Sequence, residues 1–201
     1  MISQSDVPHS SLSLHCNYTG WNLQSQNYGY GIPLGAACEA GGSGFIYYKR
    51  GNIVTNYHVI QDAQVIYVKF SSGNSYFAQL IGHDKYSDLA VIQVDTSALF
   101  NERIIPIPLA YSPSDFKVGD PVVAIGSPQG LTSSLSQGIV SQINRVNLDV
   151  VTATFFTGGL VQTDADADPG NSGGPLLNLW RGYRGEWFYV IRIIFYYHIT
   201  S

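Results

Sequence analysis

Residues 164–177 read Asp-Ala-Asp-Ala-Asp-Pro-Gly-Asn-Ser-Gly-Gly-Pro-Leu-Leu, and the centre of the stretch is Gly170-Asn171-Ser172-Gly173-Gly174. A serine between glycines, on a turn entered through Pro169, predicts a hydroxyl held on a tight, exposed bend. Glycine tolerates positive φ and lets backbone N–H groups approach a ligand closely. Such a turn can supply a nucleophile and, beside it, donors for a developing oxyanion. An ordinary glycine-rich loop fits the pentapeptide equally well, so the surrounding chain has to decide.

Working outward, the chain breaks into many short strand-like runs. Residues 44–48 and 53–55 flank a Lys49-Arg50-Gly51-Asn52 turn, residues 65–70 and 75–81 flank Ser71-Ser72-Gly73-Asn74, and residues 89–94 form an apolar run. Residues 57–62 suggest one short helical turn, and residues 11–16 a possible first strand. Residues 101–119, with Pro106, Pro108 and Pro113, read as a crossover. Beyond it, residues 121–125, 135–143, 150–156, 160–163 and 175–178 read as strands. Short strands at regular spacing without a sustained 3.6-residue period predict an all-β fold, a sandwich or barrels.

Composition agrees. Of 201 residues, 45% are apolar and 12% charged, with 21 glycines and 14 tyrosines. That is a turn-rich β-composition and not a disordered one. The formal net charge of −4 offers no electrostatic footprint for nucleic acid. The two cysteines, Cys16 and Cys38, lack C-x-x-C spacing, and the spacing does not say whether they pair. The longest apolar stretch, residues 187–199, is interrupted by Arg192 and too short to span a bilayer. The first 25 residues hold no apolar run of signal-peptide type, so the default expectation is a cytoplasmic protein.

A serine hydroxyl needs a base, and the base needs an acid to fix its tautomer. Of the five histidines, His9 and His15 lie in the irregular start, His198 in the tail and His83 in an expected turn. His58 stands where a strand ends and a short turn begins. Asp88 directly precedes the apolar run 89–94, where its carboxylate would enter a core edge. His58, Asp88 and Ser172 then follow one another in the order base, orienter, nucleophile. The nucleophile elbow of α/β-hydrolases runs serine, acid, histidine and needs a helix after the serine, which Pro175 opposes. A calcium loop starting at Asp164 would need glycine at its sixth position and glutamate at its twelfth; both are prolines, Pro169 and Pro175. No metal or other cofactor is therefore expected.

Thr55-Asn56-Tyr57-His58-Val59, Ser87-Asp88-Leu89-Ala90-Val91 and the stretch from Gln162 through Gly170-Asn171-Ser172-Gly173-Gly174-Pro175-Leu176 resemble the three signature blocks of the HtrA/Deg serine proteases. Gly42-Ser43-Gly44-Phe45 resembles the strand before the histidine block, and the likeness covers residues 42–178. The resemblance implies a chymotrypsin-like fold of two antiparallel β-barrels with the active site between them. It divides the chain into an irregular segment 1–30, a first barrel 31–105, an incomplete second barrel 106–178 and an aberrant apolar tail 179–201. It makes His58 the base, Asp88 its orienter and Ser172 the nucleophile, with backbone N–H groups of Gly170, Asn171 and Ser172 as the oxyanion hole. Polypeptides would be the substrates, unfolded or damaged proteins above all, and a homo-oligomer, a trimer by resemblance, the assembly.

Two features depart from the pattern. Asp166 lies six residues before Ser172, at the offset that in trypsin-like relatives forms the base of the primary specificity pocket. The HtrA/Deg pattern has a small or apolar residue there, so Asp166 is a candidate substrate-binding residue for a basic side chain, the alternative being a carboxylate that simply points to solvent. After Asn178 the family would continue with a glycine turn and a strand close to G-E-V-I-G-V-N, whereas residues 180–201 are crowded with Trp, Tyr, Phe and Ile. Reading residues 179–187 one base onward regenerates Tyr-Gly-Glu-Val-Ile-Gly-Val-Asn under a permissive codon choice; Trp180 alone forces the glycine. A frameshift after Asn178 is the resulting expectation, which the codons across Leu179 decide. A truncated second barrel leaves a second functional reading beside the protease, that of an impaired remnant that only binds extended polypeptide.

Overall fold

The computed structural model describes residues 11–15, 41–63, 65–100, 102, 104–110, 116–127, 134–148, 156–166, 170–182 and 185–193. Among these residues eleven strands, one short α-helix and a 3₁₀ turn follow in order: β1 (Ser11–His15), β2 (Gly41–Tyr48), β3 (Asn52–Asn56), α1 (Tyr57–Ile60), β4 (Ile66–Lys69), β5 (Ser75–Asp84), β6 (Leu89–Val94), the 3₁₀ turn (Thr96–Ala98), β7 (Pro121–Gly126), β8 (Ser134–Leu148), β9 (Phe156–Thr163), β10 (Pro175–Gly182) and β11 (Gly185–Ile193). The first six strands close into an antiparallel barrel in the order β1-β2-β3-β6-β5-β4. The remaining five form a sheet in the order β11-β10-β7-β8-β9. The all-β, chymotrypsin-like expectation holds, with a closed first unit and an open second one.

Strand periodicity explains how the two units meet. Alternate residues of a strand face opposite ways. In β2, Ile46 enters the barrel core with Ile53, Val68 and Ile92, while its neighbour Phe45 joins Ile107, Val123, Ile125 and Leu177 in a separate cluster. In β7 and β10, Val122, Ala124 and Leu176 face a third cluster with Val140 and Phe116, while Val123, Ile125 and Leu177 face Phe45. β7 is therefore buried on both faces, which is why Pro121–Gly126 reads as a continuous apolar run and not an alternation. Five buried side chains at about 2 kcal/mol each give the seam about 10 kcal/mol of gross burial, comparable to the whole stability of a domain. The seam is thus a core, and residues placed along it are held firmly.

Some elements differ from expectation. β1 pairs with both β2 and β4, so the barrel takes one strand from the segment ahead of residue 31. β5 runs on to Asp84, placing His83 in a strand and not a turn. Its pairing with β6 continues past a bulge near Leu80, with His83 opposite Ala90 and Asp84 opposite Leu89. Cross-strand hydrogen bonding here overrides the weak strand propensity of Gly82 and Asp84. β10 continues four residues beyond Asn178, and β11 pairs antiparallel to it, Leu179 opposite Phe188 and Trp180 opposite Trp187. Residues 179–182 and 185–193 therefore add strand to the second sheet, as their aromatic and β-branched content favours. Cys16, Cys38 and residues 150–155 of the expected strand 150–156 lie outside the described residues.

One lock stabilises the β4–β5 hairpin. Glu102 Oε1 accepts from Ser72 Oγ at 2.6 Å, Asn74 Nδ2 at 2.9 Å and Tyr76 Oη at 2.9 Å. Partial burial pushes the Glu102 carboxyl up, but the three donors together outweigh it and hold its pKa below the usual glutamate value. A depressed folded-state pKa contributes stability that is present above the unfolded pKa and is lost as pH falls through the folded one. Thermal stability of the native protein is expected to fall more steeply below about pH 4 than that of Glu102→Gln, whose amide does not titrate. Parallel Tm-versus-pH curves would remove this role.

Candidate active site

The pairing of β3 with β6 puts Asn56 opposite Leu89, so the residues just beyond, His58 and Asp88, meet at one corner of the barrel. Asp88 is fastened there by four hydrogen bonds. Its backbone oxygen accepts from Tyr57 N at 3.1 Å and Asn56 Nδ2 at 2.9 Å. Its carboxylate accepts from the His58 backbone N–H at 2.7 Å through Oδ1 and meets His58 Nδ1 at 2.6 Å through Oδ2. The Asp88 side chain is 15% exposed and the His58 side chain 45%, so the acid is shielded while the base reaches solvent. Asp88 has φ 52, a left-handed conformation that aspartate tolerates better than most residues. Residues just before it are held by Asp84, which accepts from Ser87 Oγ at 2.8 Å and Tyr86 N at 2.9 Å. Those bonds, the Ser87 hydroxyl first, keep the Asp84 carboxyl below its usual range.

His83 joins this corner in a way its sequence does not announce. Its ring stacks on Tyr57 with centroids 4.5 Å apart and planes 11° from parallel. The stack ties α1, which carries His58, to β5. No spacing rule pairs residues 57 and 83; only the long reach of β5 does so.

Ser172 sits in the connection from β9 to β10, in a turn closed by Gly174 N–H donating to Asn171 O at 2.9 Å. Gly173 has φ 87, the positive value required at the third position of a type II turn, and Gly170 has φ 100. The tight bend is as expected, but it is not exposed. Ser172 is 6% and Asn171 4% accessible, because the turn is pressed into the seam between the two units. A Cβ on Gly173 would lie 2.1 Å from Ser43 O and 2.4 Å from Thr55 Oγ1, next to the end of β3. A Cβ on Gly42 would lie 3.0 Å from Ser172 O and 2.7 Å from the methyls of Val59, the residue after His58. The serine turn and the histidine corner are therefore packed against the same few residues.

Asn171 packs onto Gly126, and its Oδ1 is buried without a hydrogen-bond partner among the described residues. A carboxylate at that position would carry a buried charge, so a neutral amide fits the site. Asp166 is exposed, and its backbone oxygen accepts from Ser136 Oγ at 2.6 Å. Asp164 is also exposed, and its Oδ1 accepts from Ile139 N at 2.7 Å, bracing β8. Among the described residues no group of carboxylates, histidines or cysteines has the arrangement of a metal site, and no helix is long and apolar enough to cross a membrane.

A family model described as "Trypsin-like peptidase domain" matches residues 42–182, which include His58, Asp88 and Ser172. The chain belongs to the trypsin-like peptidases. Within that family it is similar to the Do-like and DegP-like proteases, in agreement with the HtrA/Deg signature blocks. It is 39% identical over 157 residues to "Protease Do-like 1, chloroplastic" of Arabidopsis thaliana, covering 78% of this chain and 35% of that protein. It is 41% identical over 139 residues to "Probable periplasmic serine endoprotease DegP-like" of Chlamydia trachomatis serovar D, covering 69% of this chain and 26% of the relative. The crystal structure of Deg5 superposes with a TM-score of 0.65 at 29% identity, over 87% of this chain and 76% of that one. The chain thus spans between a quarter and about a third of the length of these curated relatives.

These relatives correct the cytoplasmic expectation: they are named as chloroplastic or periplasmic. The expectation rested on the first 25 residues reading without an apolar run. A leader is a removable address that the folded peptidase domain does not encode, so the domain's residues carry no information about it.

Proposed function

We propose that this trypsin-like peptidase is a serine endopeptidase that hydrolyses peptide bonds of unfolded or damaged proteins through Ser172, His58 and Asp88. The observation that carries the reading is the His58–Asp88 pair, bonded at both the ring and the backbone nitrogen, on a corner that shares its packing with the Ser172 turn. Asp88 Oδ2 holds the proton of His58 on Nδ1, which leaves Nε2 with a lone pair. Nε2 takes the proton of the Ser172 hydroxyl as Oγ attacks the scissile carbonyl. The oxyanion of the tetrahedral intermediate is met by backbone N–H groups of Gly170, Asn171 and Ser172. The imidazolium then gives its proton to the leaving amine, and water repeats the sequence in reverse to release the acyl group.

Labelling with a fluorophosphonate, which traps only an activated serine, tests this directly. The native protein should label, and Ser172→Ala should lose both the label and about 10⁶-fold in kcat on a denatured protein substrate. A protein that binds denatured chains but neither labels nor cleaves would favour the binding-only reading. Asp166 adds a selectivity. Its place six residues before Ser172 is the basis for a preference for Arg or Lys before the cleaved bond, through a carboxylate that is exposed to solvent. An exposed ion pair contributes up to about 1 kcal/mol, so the preference over Val in a peptide library should be about five-fold. Equal cleavage after Val and Arg would remove Asp166 from the site.

A further inference from the structure

Ser43 is 0% accessible and belongs to neither the base, its orienter nor the nucleophile turn, yet each of its polar groups is engaged at the seam. Its N–H donates to Ser172 O at 2.8 Å. Its hydroxyl donates to Gly170 O at 2.6 Å and accepts from Ser127 N at 2.8 Å. Its own carbonyl accepts from Thr55 Oγ1 at 2.8 Å, which anchors it to β3 just ahead of the histidine corner. A hydroxyl has one proton to give and lone pairs to accept with, and both capacities are used here.

The consequence follows from the planarity of the peptide group. A carbonyl oxygen that is held in place fixes the N–H across the same plane. Ser43 Oγ holds Gly170 O, and so sets the direction of the Asn171 N–H. Ser43 N holds Ser172 O, and so sets the plane from Ser172 to Gly173. The plane between them, which carries the Ser172 N–H, is set by Gly174 N on Asn171 O. Two of the three consecutive planes around the nucleophile are thus fixed from the first barrel by one residue.

We propose that Ser43 is a positioning residue of the reaction, whose hydroxyl preorganises the Asn171 N–H, one of the three oxyanion donors, by locking the Gly170–Asn171 peptide. The proposal rests on the serine-endopeptidase reading above. Ser43 touches no reacting atom. Its effect is therefore expected in turnover and not in substrate binding, because donors aimed at the oxyanion matter most in the transition state. Removing an oxyanion donor outright costs about 10²–10³-fold, and loosening one from a neighbouring residue should cost less.

The test compares Ser43→Ala, Ser43→Cys and Ser43→Thr in the full chain, on a peptide substrate and by the rate of fluorophosphonate labelling. Ser43→Ala should lower kcat and the labelling rate together by about 10- to 100-fold, with KM within about two-fold. Ser43→Thr, which keeps a hydroxyl, should recover most of the loss, and Ser43→Cys, a weak donor, should fall between. Thermal melts establish that each variant is folded at the assay temperature. Should Ser43→Ala not fold, the Cys and Thr pair still decides: a folded Ser43→Cys with native kcat overturns the proposal. Native kcat in Ser43→Ala despite a lowered Tm overturns it too, since Ser43 would then only stabilise the seam. A native protein that labels at Ser172 keeps these outcomes distinct from failure of the endopeptidase reading; a native protein that does not label overturns both.

Discussion

Asp88→Asn is expected to lower kcat by about 10⁴-fold while leaving the protein folded, the magnitude typical of an orienting carboxylate in a serine protease. The reason lies in the two bonds that Asp88 makes to His58, one to the backbone N–H at 2.7 Å and one to Nδ1 at 2.6 Å. An asparagine keeps one acceptor and gains one donor. Pointing its oxygen at the ring would set its NH₂ against the His58 backbone N–H, donor against donor, at a cost of about 1–3 kcal/mol. The amide therefore turns its oxygen to the backbone and its NH₂ to the ring. Nδ1 must then accept, the ring proton moves to Nε2, and Nε2 can no longer take the proton of Ser172. Steady-state kinetics with a Tm control would show it. A kcat within ten-fold of native in a folded variant would mean that Asp88 does not set the tautomer.

Gly173→Ala is expected to be the most damaging single methyl in the site. Its φ of 87 is disfavoured for any residue with a Cβ, and that Cβ would lie 2.1 Å from Ser43 O and 2.4 Å from Thr55 Oγ1. Backbone and a bonded hydroxyl cannot swing away as a flexible side-chain end would. The turn would have to move off the seam, breaking the Ser43–Ser172 bond on the way. A loss of about 4 kcal/mol or more is expected, in the tail reserved for strain and buried unpaired groups. Chemical denaturation measures it, and the remaining folded protein should show no serine labelling. By contrast Gly73→Ala, with a similar φ of 92 but open space around it, should cost only the strain of the turn.

Much of the site was legible because catalysis restricts residue types. A serine with glycines on both sides, a histidine at a strand end and an aspartate ahead of an apolar run are unusual in chemistry as well as in order. The strands were legible where burial is one-sided or complete, as in β6 and β7. His83 was not, because glycine, histidine and aspartate carry turn propensity and only the partner strand β6 makes them extend. The depth of Ser172 was not either: the local sequence specifies a bend, but what lies on top of the bend comes from Gly42, Ser43 and Thr55, more than a hundred residues earlier. The Trp- and Tyr-rich stretch after Asn178 departs from the family pattern in sequence, yet residues 179–182 and 185–193 form strand, since backbone pairing between β10 and β11 asks only for β-compatible residues.

Residue type and spacing along the chain determined the fold class, the candidate base, orienter and nucleophile, and the membership of a peptidase family, because each depends on local chemistry or on a short-range period. Tertiary structure alone decided that His58 and Asp88 are joined at two nitrogens, that the Ser172 turn is buried in the seam, and that Ser43 holds two of its carbonyls. Hydrogen bonds between residues 127 apart, as between Ser43 and Gly170, leave no trace in any window of sequence. They exist because alternate faces of β2, β7 and β10 must bury their apolar side chains together, and in doing so bring the polar residues at the strand ends within reach.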